Sequence, residues 1–412
     1  MTITTCLDWV EPVAVWWAET SDQDDHFFLQ SAKETPYSGR YSYLALAAKN
    51  QHDKISWAQL DEMVRGTDKN DICEAWWVLL GYEDQISACQ FNVVYVWDHH
   101  KKTITRHAKI DRPIPDVLAP SPEPLAPLST SFTSNMSKTD YLDHVQSALN
   151  EIHAGTFYQV NLTRKFWTPI PKACPDFHRR CFLRLVQESP APYSAYIQCG
   201  EQTVISSSPE QFLKLEDQKW QARPIKGTLS KDAKQDNDEQ GAETLKNSIK
   251  DQSENLMIVD LMRHDLSKFC VPGTVKVPTL FDVTSHATVH HMSSLIEGQH
   301  DTRHSVVSAI HAAFPPGSMT GTPKSKAIDY AHRYETLPRG IYSGAIGYIL
   351  PDKAELSVVI RTIVCTEDRL EFQVGGAIVA QSTPESEWRE TLTKAAGMCR
   401  ALGVDPFDVL SF

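Results

Sequence analysis

A proline-rich segment divides the chain into a shorter and a longer part. The stretch "RPIPDVLAPSPEPLAPLST" contains six prolines between Pro113 and Pro127. Proline donates no backbone hydrogen bond and does not fit the interior of a helix or a central strand. We therefore expect extended chain here. The predicted organisation is an N-terminal part at residues 1–112, a linker at 113–130 and a C-terminal domain at 131–412.

Short runs rich in aromatic and β-branched residues predict strands on both sides of this segment. The runs "FFLQSA", "GRYSYLALAA" and "QFNVVYVWDHH" precede it, and "YQVNLTRKFW", "YSAYIQC" and "TVISSS" follow it. Near the end, "YSGAIGYILP", "AELSVVIRTIVC" and "LEFQVGGAIVA" predict a three-stranded antiparallel meander. Helices are predicted at "WAQLDEMVRG", at "SKTDYLDHVQSALNEIHAG", around "DQSENLMIVDLMRHDL" and from Pro384 to Leu402.

The composition limits the partners and the compartment. A net charge of −12 disfavours nucleic acid or an anionic membrane as the main partner. The longest apolar runs, such as "AWWVLLGY", are far shorter than the ~20 residues that cross a bilayer, and the N-terminus lacks the pattern of a signal peptide. Nine cysteines without a C-x-x-C pair predict reduced thiols. Together these features predict a cytoplasmic protein.

Acidic residues on two predicted helices are candidate metal ligands. Glu387, Glu390 and Lys394 share one face of the last helix, although acidic residues in a first turn and an i, i+4 ion pair are also ordinary surface features. Glu254 adjoins an apolar run and therefore needs a partner. Two carboxylates that leave positions open for water and substrate oxygens suit Mg²⁺. Spacing alone leaves open whether Glu254 meets Glu390.

The stretch "GSMTGTPKSKA" is similar to a phosphate-binding loop only at first sight. A Walker A loop requires Gly-Lys-Ser/Thr in direct succession. Here Thr322 and Pro323 separate Gly321 from Lys324. Nucleotide binding by this loop is therefore disfavoured.

Separated segments of the chain together resemble one protein family. The segments "YQVNLTR", "SSSPEQF", "RPIKGT", "ENLMIVDLMRHDL", "PGSMTGTPKSKAI", "YSGAIGY", "IRT", "VGGAIVA" and "SEWRETLTKA" occur in this order. They resemble the chorismate-utilising enzymes, which include the large subunits of anthranilate synthase and aminodeoxychorismate synthase, and the isochorismate and salicylate synthases. The resemblance implies an α+β fold of two large antiparallel β-sheets packed face to face with surrounding helices. Residues 131–412 would form the chorismate-binding catalytic domain, and residues 1–112 could share its sheets.

The lysine of "RPIKGT" separates branches of this family. Taken alone, Lys226 would be interpreted as a surface lysine after a strand. Within the family, "PIKGT" resembles the branch that aminates chorismate at C4 on the route to 4-aminobenzoate and folate, whereas anthranilate synthases usually carry alanine there. The resemblance implies that Lys226, as a neutral amine, adds to C2 while the C4 hydroxyl leaves. Ammonia then attacks C4 and expels the lysine, which gives 4-amino-4-deoxychorismate.

The resemblance also implies roles for other residues. Glu210 would be the general acid for the leaving hydroxyl, and Glu254 and Glu390 would bind Mg²⁺ with Glu387 close by. The other implied site residues are His291 near the leaving group, Thr228 at a ring hydroxyl, Tyr342 and Arg361 at the enolpyruvyl carboxylate, and Ser318, Gly375, Gly376 and Lys394 in the anion pocket.

The source of ammonia and two alternative functions complete these expectations. No cysteine lies in a G-x-C-x-G setting, so a separate glutamine amidotransferase subunit, in a heterodimer, or free ammonia is expected to serve. One alternative is the large subunit of anthranilate synthase, which Lys226 disfavours. The other is a non-catalytic chorismate-binding homologue, which the set Glu210, Lys226, Glu254 and Glu390 disfavours.

Overall fold

The computed structural model describes residues 2–21, 24–114, 132–170, 176–230, 239–285 and 289–410. Strands and helices alternate irregularly along these residues. The strands are β1 (Ile3–Leu7), β2 (His26–Gln30), β3 (Tyr41–Ile55), β4 (Trp76–Leu80), β5 (Ile86–Asp98), β6 (Thr103–Ala108), β7 (Thr133–Ser134), β8 (Gln159–Pro169), β9 (Tyr193–Cys199), β10 (Gln202–Ser208), β11 (Gln211–Glu216), β12 (Lys219–Arg223), β13 (Ile225–Ser230), β14 (Lys276–Ser285), β15 (Val289–Gln299), β16 (Gly321–Thr322), β17 (Ala345–Leu350), β18 (Lys353–Val358), β19 (Thr362–Cys365) and β20 (Arg369–Ile378). The helices are α1 (Pro12–Glu19), α2 (Trp57–Arg65), α3 (Lys138–His153), α4 (Phe177–Glu188), α5 (Glu239–Lys246), α6 (Ile249–Ser267), α7 (Val306–Ala313), α8 (Lys324–Tyr334), α9 (Pro384–Ala401) and α10 (Pro406–Val409).

The strands form two antiparallel arms that share the long strand β5. The first arm runs β5, β3, β2, β9, β10, β19, β20 and β8, with the short strands β7 and β16 paired to β8. The second arm runs β5, β4, β17, β18, β11, β12 and β15, with β13 and β14 also paired to β15. The rest of β5 pairs with β6, which pairs with β1. The two predicted sheets are therefore branches of one hydrogen-bonded network.

The two arms pack face to face through an apolar layer. Phe27 of β2 and Ile197 of β9 share this layer with Trp77 of β4 and Tyr348 of β17, all almost fully buried. The Tyr43 and Tyr348 rings lie 5.2 Å apart across the two arms. Helices α1, α3, α4 and α9 cover the first arm, and α2, α6 and α7 cover the second. The predicted layered architecture is confirmed.

Strands from both sides of the proline-rich segment pair with each other. β2 pairs with β9, and β4 pairs with β17, so the N-terminal strands contribute to both arms. The boundaries at residues 113 and 131 remain a prediction, because residues 115–131 lie outside the described residues. Among the described helices, none combines the length and the apolar character needed to cross a membrane.

The predicted terminal meander is wrong in one respect. The run "AELSVVIRTIVC" forms two strands, β18 and β19, which belong to different arms. The chain crosses between the arms at Arg361, whose φ of 50° is left-handed. Val359 makes the last hydrogen bond to the second arm, to the carbonyl of Gly344. This crossing places the Arg361 side chain in the seam between the arms. A short helix, α10, also follows the predicted last helix.

Local sequence signals explain where the site-bearing helices begin. Thr383 caps α9 by accepting a hydrogen bond from the amide of Ser386, and Pro384 occupies the first turn. Ser248 caps α6 in the same way, through the amide of Asp251. The first turns of both helices carry acidic side chains.

A substitution at Gly347 tests how closely β17 and β18 approach each other. A Cβ atom at this position would overlap with the carbonyl oxygen of Glu355, and neither backbone can move without loss of strand pairing. Gly347→Ala should therefore lower the free energy of unfolding by at least about 3 kcal/mol, the upper end of ordinary overpacking. Chemical denaturation measures this. The control is Gly66→Ala, where the nearest atom would be 3.6 Å away. Equal losses in both variants would contradict the close approach.

Candidate active site

A cavity of about 540 Å³ lies in the seam between the arms. Residues of helices α6 and α9 line it, and the chain crossing at Arg361 lies in its wall. The structure brings together ten of the thirteen residues singled out in the sequence. The ten are Glu210, Lys226, Glu254, His291, Ser318, Tyr342, Arg361, Gly375, Glu390 and Lys394.

Lys226 projects from β13 into this cavity. Its Nζ donates a hydrogen bond of 3.3 Å to the carbonyl of Ser318. Burial lowers the pKa of Lys226, and Lys394 lowers it further, against the opposing effect of the carboxylates of Glu254 and Glu210. The side chain is therefore a pocket amine with an increased neutral fraction, not a lysine on the surface.

Glu210 lies in the same wall, between β10 and β11. It is buried, and burial raises the pKa of its carboxyl group to about 7, although hydrogen bonds from Ser318 and from the amide of Ile225 oppose this. Ser318, in a short 3₁₀ turn at Gly317–Met319, is thus bonded to both Glu210 and Lys226. The arrangement places a carboxyl group that is partly protonated at neutral pH beside an amine.

Arg361 and Tyr342 present a cation and a hydroxyl group to the cavity. Arg361 is fixed by its backbone, because its carbonyl accepts a hydrogen bond of 3.1 Å from the amide of Ser207. Tyr342 is buried, which raises the pKa of its phenol to about 12. The phenol is therefore a neutral donor at physiological pH. This pair can bind a carboxylate.

The two predicted metal-binding helices face the cavity, and each carries a lysine four residues from its carboxylate. On α9, Lys394 lies 2.7 Å from Glu390 and donates to the Gly375 carbonyl at 2.9 Å. The Lys394 ammonium lowers the pKa of Glu390. On α6, Lys250 lies 3.8 Å from Glu254, and burial raises the pKa of Glu254. Glu390 and Lys394 therefore form the i, i+4 ion pair that their spacing predicts.

Glu387 lies behind the cavity wall, next to Gly376. One oxygen accepts a hydrogen bond of 2.6 Å from the Ser382 hydroxyl, and the other, also buried, has no hydrogen-bond partner within the described part of the chain. Burial and the Glu390 carboxylate raise the pKa of Glu387 to about 7. A Cβ atom on Gly376 would lie 2.7 Å from the unpartnered oxygen. A side chain at position 376 would therefore displace the Glu387 carboxylate.

His291 and Thr228 lie opposite each other on paired strands. His291 of β15 is buried and lines the cavity. Thr228 of β13 is its partner in the strand register, but the Thr228 side chain lies outside the described residues. The predicted roles of both residues remain predictions.

The sequence interpretation missed polar residues that also line the cavity. Asn161 of β8 is buried, and within the described residues its Nδ2 has no hydrogen-bond partner. Gln373 of β20 and Lys250 of α6 line the same space. Gln373 could have been predicted from the sequence, because it lies two residues from Gly375 on the same strand. Lys250 could have been predicted because it lies four residues from Glu254 on the same helix. The position of Asn161 could be known only from the register of β8, in which Asn161 pairs with Ala377 of β20.

Comparison with known proteins identifies the family. The profile of the chorismate binding enzyme family matches residues 20–400, which include both arms and the cavity. The chain belongs to the chorismate binding enzyme family. This confirms the resemblance seen in the sequence. The matched residues include all thirteen residues singled out in the sequence.

The relatives of this chorismate binding enzyme include two curated proteins. The chloroplastic aminodeoxychorismate synthase of Arabidopsis thaliana is 42% identical over 277 residues, or 66% of this chain and 30% of that protein. Aminodeoxychorismate synthase component 1 of Salmonella typhimurium is 37% identical over 311 residues, or 73% of this chain and 67% of that protein. The chain therefore spans less than a third of the length of the Arabidopsis relative.

A solved structure supports the fold independently. The menaquinone-specific isochorismate synthase of Escherichia coli matches with a TM-score of 0.77, at 20% identity, over 98% of this chain and 94% of that chain. The likeness extends over both arms. At this identity it bears on the fold alone.

The raised pKa of Glu210 predicts a pH-dependent contribution to stability. Its value of about 7 in the folded protein exceeds the ordinary 4.5, so the stabilisation present below pH 4.5 is lost as the pH rises through 7. At 1.36 kcal/mol per pKa unit, Glu210→Gln should gain about 3 kcal/mol over wild type between pH 4.5 and 8. Urea denaturation across this range measures the gain. Glu367→Gln, in an exposed turn, is the control, and a pH-independent difference for Glu210→Gln would contradict burial.

Proposed function

We propose that this protein aminates chorismate at C4 with ammonia, giving 4-amino-4-deoxychorismate. The observation that carries the proposal is the position of the Lys226 amine, which lies in the family's cavity beside Glu210. Relatives named aminodeoxychorismate synthase, at 42% and 37% identity, support the same assignment. Chorismate is a dicarboxylate, and the cavity offers Arg361, Tyr342 and Lys394 to anionic groups.

The proposed reaction uses two displacements. In the first, the neutral amine of Lys226 forms a bond to C2 and loses a proton, both double bonds of the ring diene shift by one position, and the C4 hydroxyl leaves as water with the proton of Glu210. In the second, ammonia forms a bond to C4 and loses a proton, both double bonds return, and Lys226 leaves C2 with a proton. The sum is chorismate plus ammonia giving aminodeoxychorismate plus water. Lys226 and Glu210 return to their starting forms after proton exchange with solvent.

The electrostatics of the cavity support these roles. Burial moves Lys226 and Glu210 toward their neutral forms, which are the nucleophilic amine and the proton-donating acid that the first displacement needs. His291 faces the same space from β15. Its proposed role is to bind near the departing hydroxyl group.

The acidic residues of α6 and α9 fit a magnesium ion. Glu254 and Glu390 offer oxygen ligands from two helices, and Glu387 has a buried oxygen without a hydrogen-bond partner among the described residues. Mg²⁺ prefers such ligands and keeps part of its water shell. Among the described residues, no group of three His, Cys, Asp or Glu side chains is placed to hold a metal ion by itself. The proposed ion would take its remaining ligands from water and substrate oxygens. When bound, the ion would neutralise and orient the C1 carboxylate.

The proposed source of ammonia is a separate glutamine amidotransferase subunit. The Salmonella relative is named component 1, which supports a second component there and, by proposal, here. The resulting enzyme would be a magnesium-dependent chorismate transaminase in the 4-aminobenzoate and folate pathway.

Product analysis with ammonium salt tests the reaction. With chorismate, Mg²⁺ and ammonium chloride, we expect mass spectrometry to detect aminodeoxychorismate. Anthranilate instead would identify the first alternative function, and no turnover the second. Either result would overturn the proposal.

Trapping the adduct tests the role of Lys226. Without ammonia, the second displacement cannot occur, so the intact protein should gain the mass of chorismate minus one water, located on Lys226 by peptide mapping. Lys226→Ala should show no adduct and lose at least about 100-fold in kcat, in the range for a covalent catalyst. Lys326→Ala, an exposed lysine of α8, is the control. Full amination by Lys226→Ala would refute the covalent step.

The proposed metal site predicts that substitutions of two glutamates on α9 have different effects on the Mg²⁺ requirement. Glu390→Gln removes a charged ligand and should weaken the binding of Mg²⁺. The Mg²⁺ concentration that gives half-maximal activity should therefore rise by about 10-fold or more. Glu385→Gln changes an exposed residue of the same helix and should leave it unchanged. Magnesium titration of the initial rate measures both. Similar curves for the two variants would place the metal elsewhere.

A further inference from the structure

Lys324, the lysine of "GSMTGTPKSKA", lies at the start of α8 with 16% of its side chain exposed. Its Nζ donates to the Asp265 carboxylate at 2.7 Å, to the Ala313 carbonyl at 2.7 Å and to the Pro315 carbonyl at 2.9 Å. An ammonium group has three N–H donors, so these acceptors satisfy all of them. The Lys324 ammonium therefore has no N–H left to donate to an anion.

Asp265 is the other half of this contact and lies fully buried on α6. One oxygen accepts from Lys324, and the other accepts from Lys268 at 2.8 Å. The two lysines differ in exposure, with 16% of the Lys324 side chain and 39% of the Lys268 side chain accessible. Lys268 also donates to the Ala312 carbonyl, at the end of α7. The ion pair of Asp265 with Lys324 is therefore more buried than its ion pair with Lys268.

The segment that Lys324 holds continues directly into the turn of Ser318. Gly317, one residue earlier, packs on α6, because a Cβ atom there would lie 3.0 Å from side-chain atoms of Leu261 and Met262. After the turn, the Met319 carbonyl accepts a hydrogen bond of 2.7 Å from Arg339. The turn is thus fixed on both sides, by Lys324 and α6 before it and by Arg339 after it.

We propose that Lys324 is a positioning residue, which ties the Ala313–Pro315 backbone to Asp265 of α6 and so holds the Ser318 turn against Lys226 and Glu210. The inference rests on the proposed function for the identity of the reaction. Ser318 contacts both reacting groups, through its carbonyl to Lys226 and through its side chain to Glu210. A shift of this turn therefore changes the geometry of amine and acid together.

The proposed role predicts an effect on turnover more than on substrate binding. Arg361 and Tyr342 line the cavity, and within the described part of the chain the hydrogen bonds and ion pairs of Lys324 and Asp265 go to other residues. Arg361 is anchored to Ser207 of the first arm. The groups proposed to grip the substrate carboxylates should therefore stay in place when the Ser318 turn loosens. A misplacement of about 1 Å in the reacting groups costs roughly 100-fold in rate.

Three variants test the proposal. Lys324→Met keeps the length of the side chain and removes the charge. Asp265→Leu/Lys324→Met removes both members of this ion pair, and among the described residues the only charge that loses its partner is the 39% exposed ammonium of Lys268, which still donates to the Ala312 carbonyl. Lys268→Met is the matched control, because it breaks the second ion pair of Asp265 and leaves the Pro315 carbonyl bonded. For each variant, kcat and KM for chorismate are measured, together with hydrogen–deuterium exchange of the Met319 and Thr320 amides, which are bonded within the turn.

We expect Lys324→Met and the double variant to lose roughly 100-fold in kcat while KM changes by less than about threefold. Their turn amides should exchange faster, and Lys268→Met should match wild type in both measurements. A double variant that folds and keeps wild-type kcat or wild-type exchange would overturn the proposal. If the wild-type product is anthranilate, the proposed function fails, but kcat for that product and the exchange data still decide the role of Lys324. If the wild type shows no turnover, exchange alone decides it.

Discussion

Burial of charged side chains between the two arms is the constraint on which the rest of the structure depends. Removing an ion from water is costly unless partners compensate. At the seam, burial raises the pKa of Glu210 to about 7 and lowers the pKa of Lys226. Both groups thus move toward their neutral forms, an amine with a free electron pair and an acid that still holds its proton. The desolvation that costs stability is also what makes the pair chemically competent.

The backbone around the seam is irregular, and buried ion pairs replace strand pairing there. Arg339 is paired with Glu335 at 2.8 Å and also donates to the carbonyls of Asn161 and Met319. Lys324 likewise donates hydrogen bonds to the carbonyls of Ala313 and Pro315, which precede Ser318. Buried carbonyls need donors wherever no neighbouring strand supplies them. Such ion pairs contribute little net stability, so their consequence is to fix one arrangement of the cavity wall.

Local signals predicted much of the fold, and long-range pairing determined the rest. Ser137 caps α3 as its sequence suggests, and α9 begins at the predicted Pro384. The run containing Arg361 was predicted as one strand, because its β-branched residues continue on both sides and the left-handed turn leaves no local mark. The predicted site residues largely converge on one cavity, since the family motifs mark them. Asn161 was missed because its exposure to the cavity depends on strand register.

The glycine after Lys226 explains how the amine and the carboxylate of α6 come so close. Gly227 has a φ of +88°, and a Cβ atom there would lie 3.0 Å from the Asp251 side chain and 3.1 Å from the Leu245 side chain. Only glycine allows β13 to pack this tightly against α5 and α6. Since Asp251 and Glu254 are three residues apart on one helix face, the same approach brings Glu254 within electrostatic reach of the Lys226 amine. A side chain at this position would require the Asp251 and Leu245 side chains to shift. The Lys-Gly pair therefore acts as one unit, in which the first residue supplies the amine and the second sets its distance from the carboxylates.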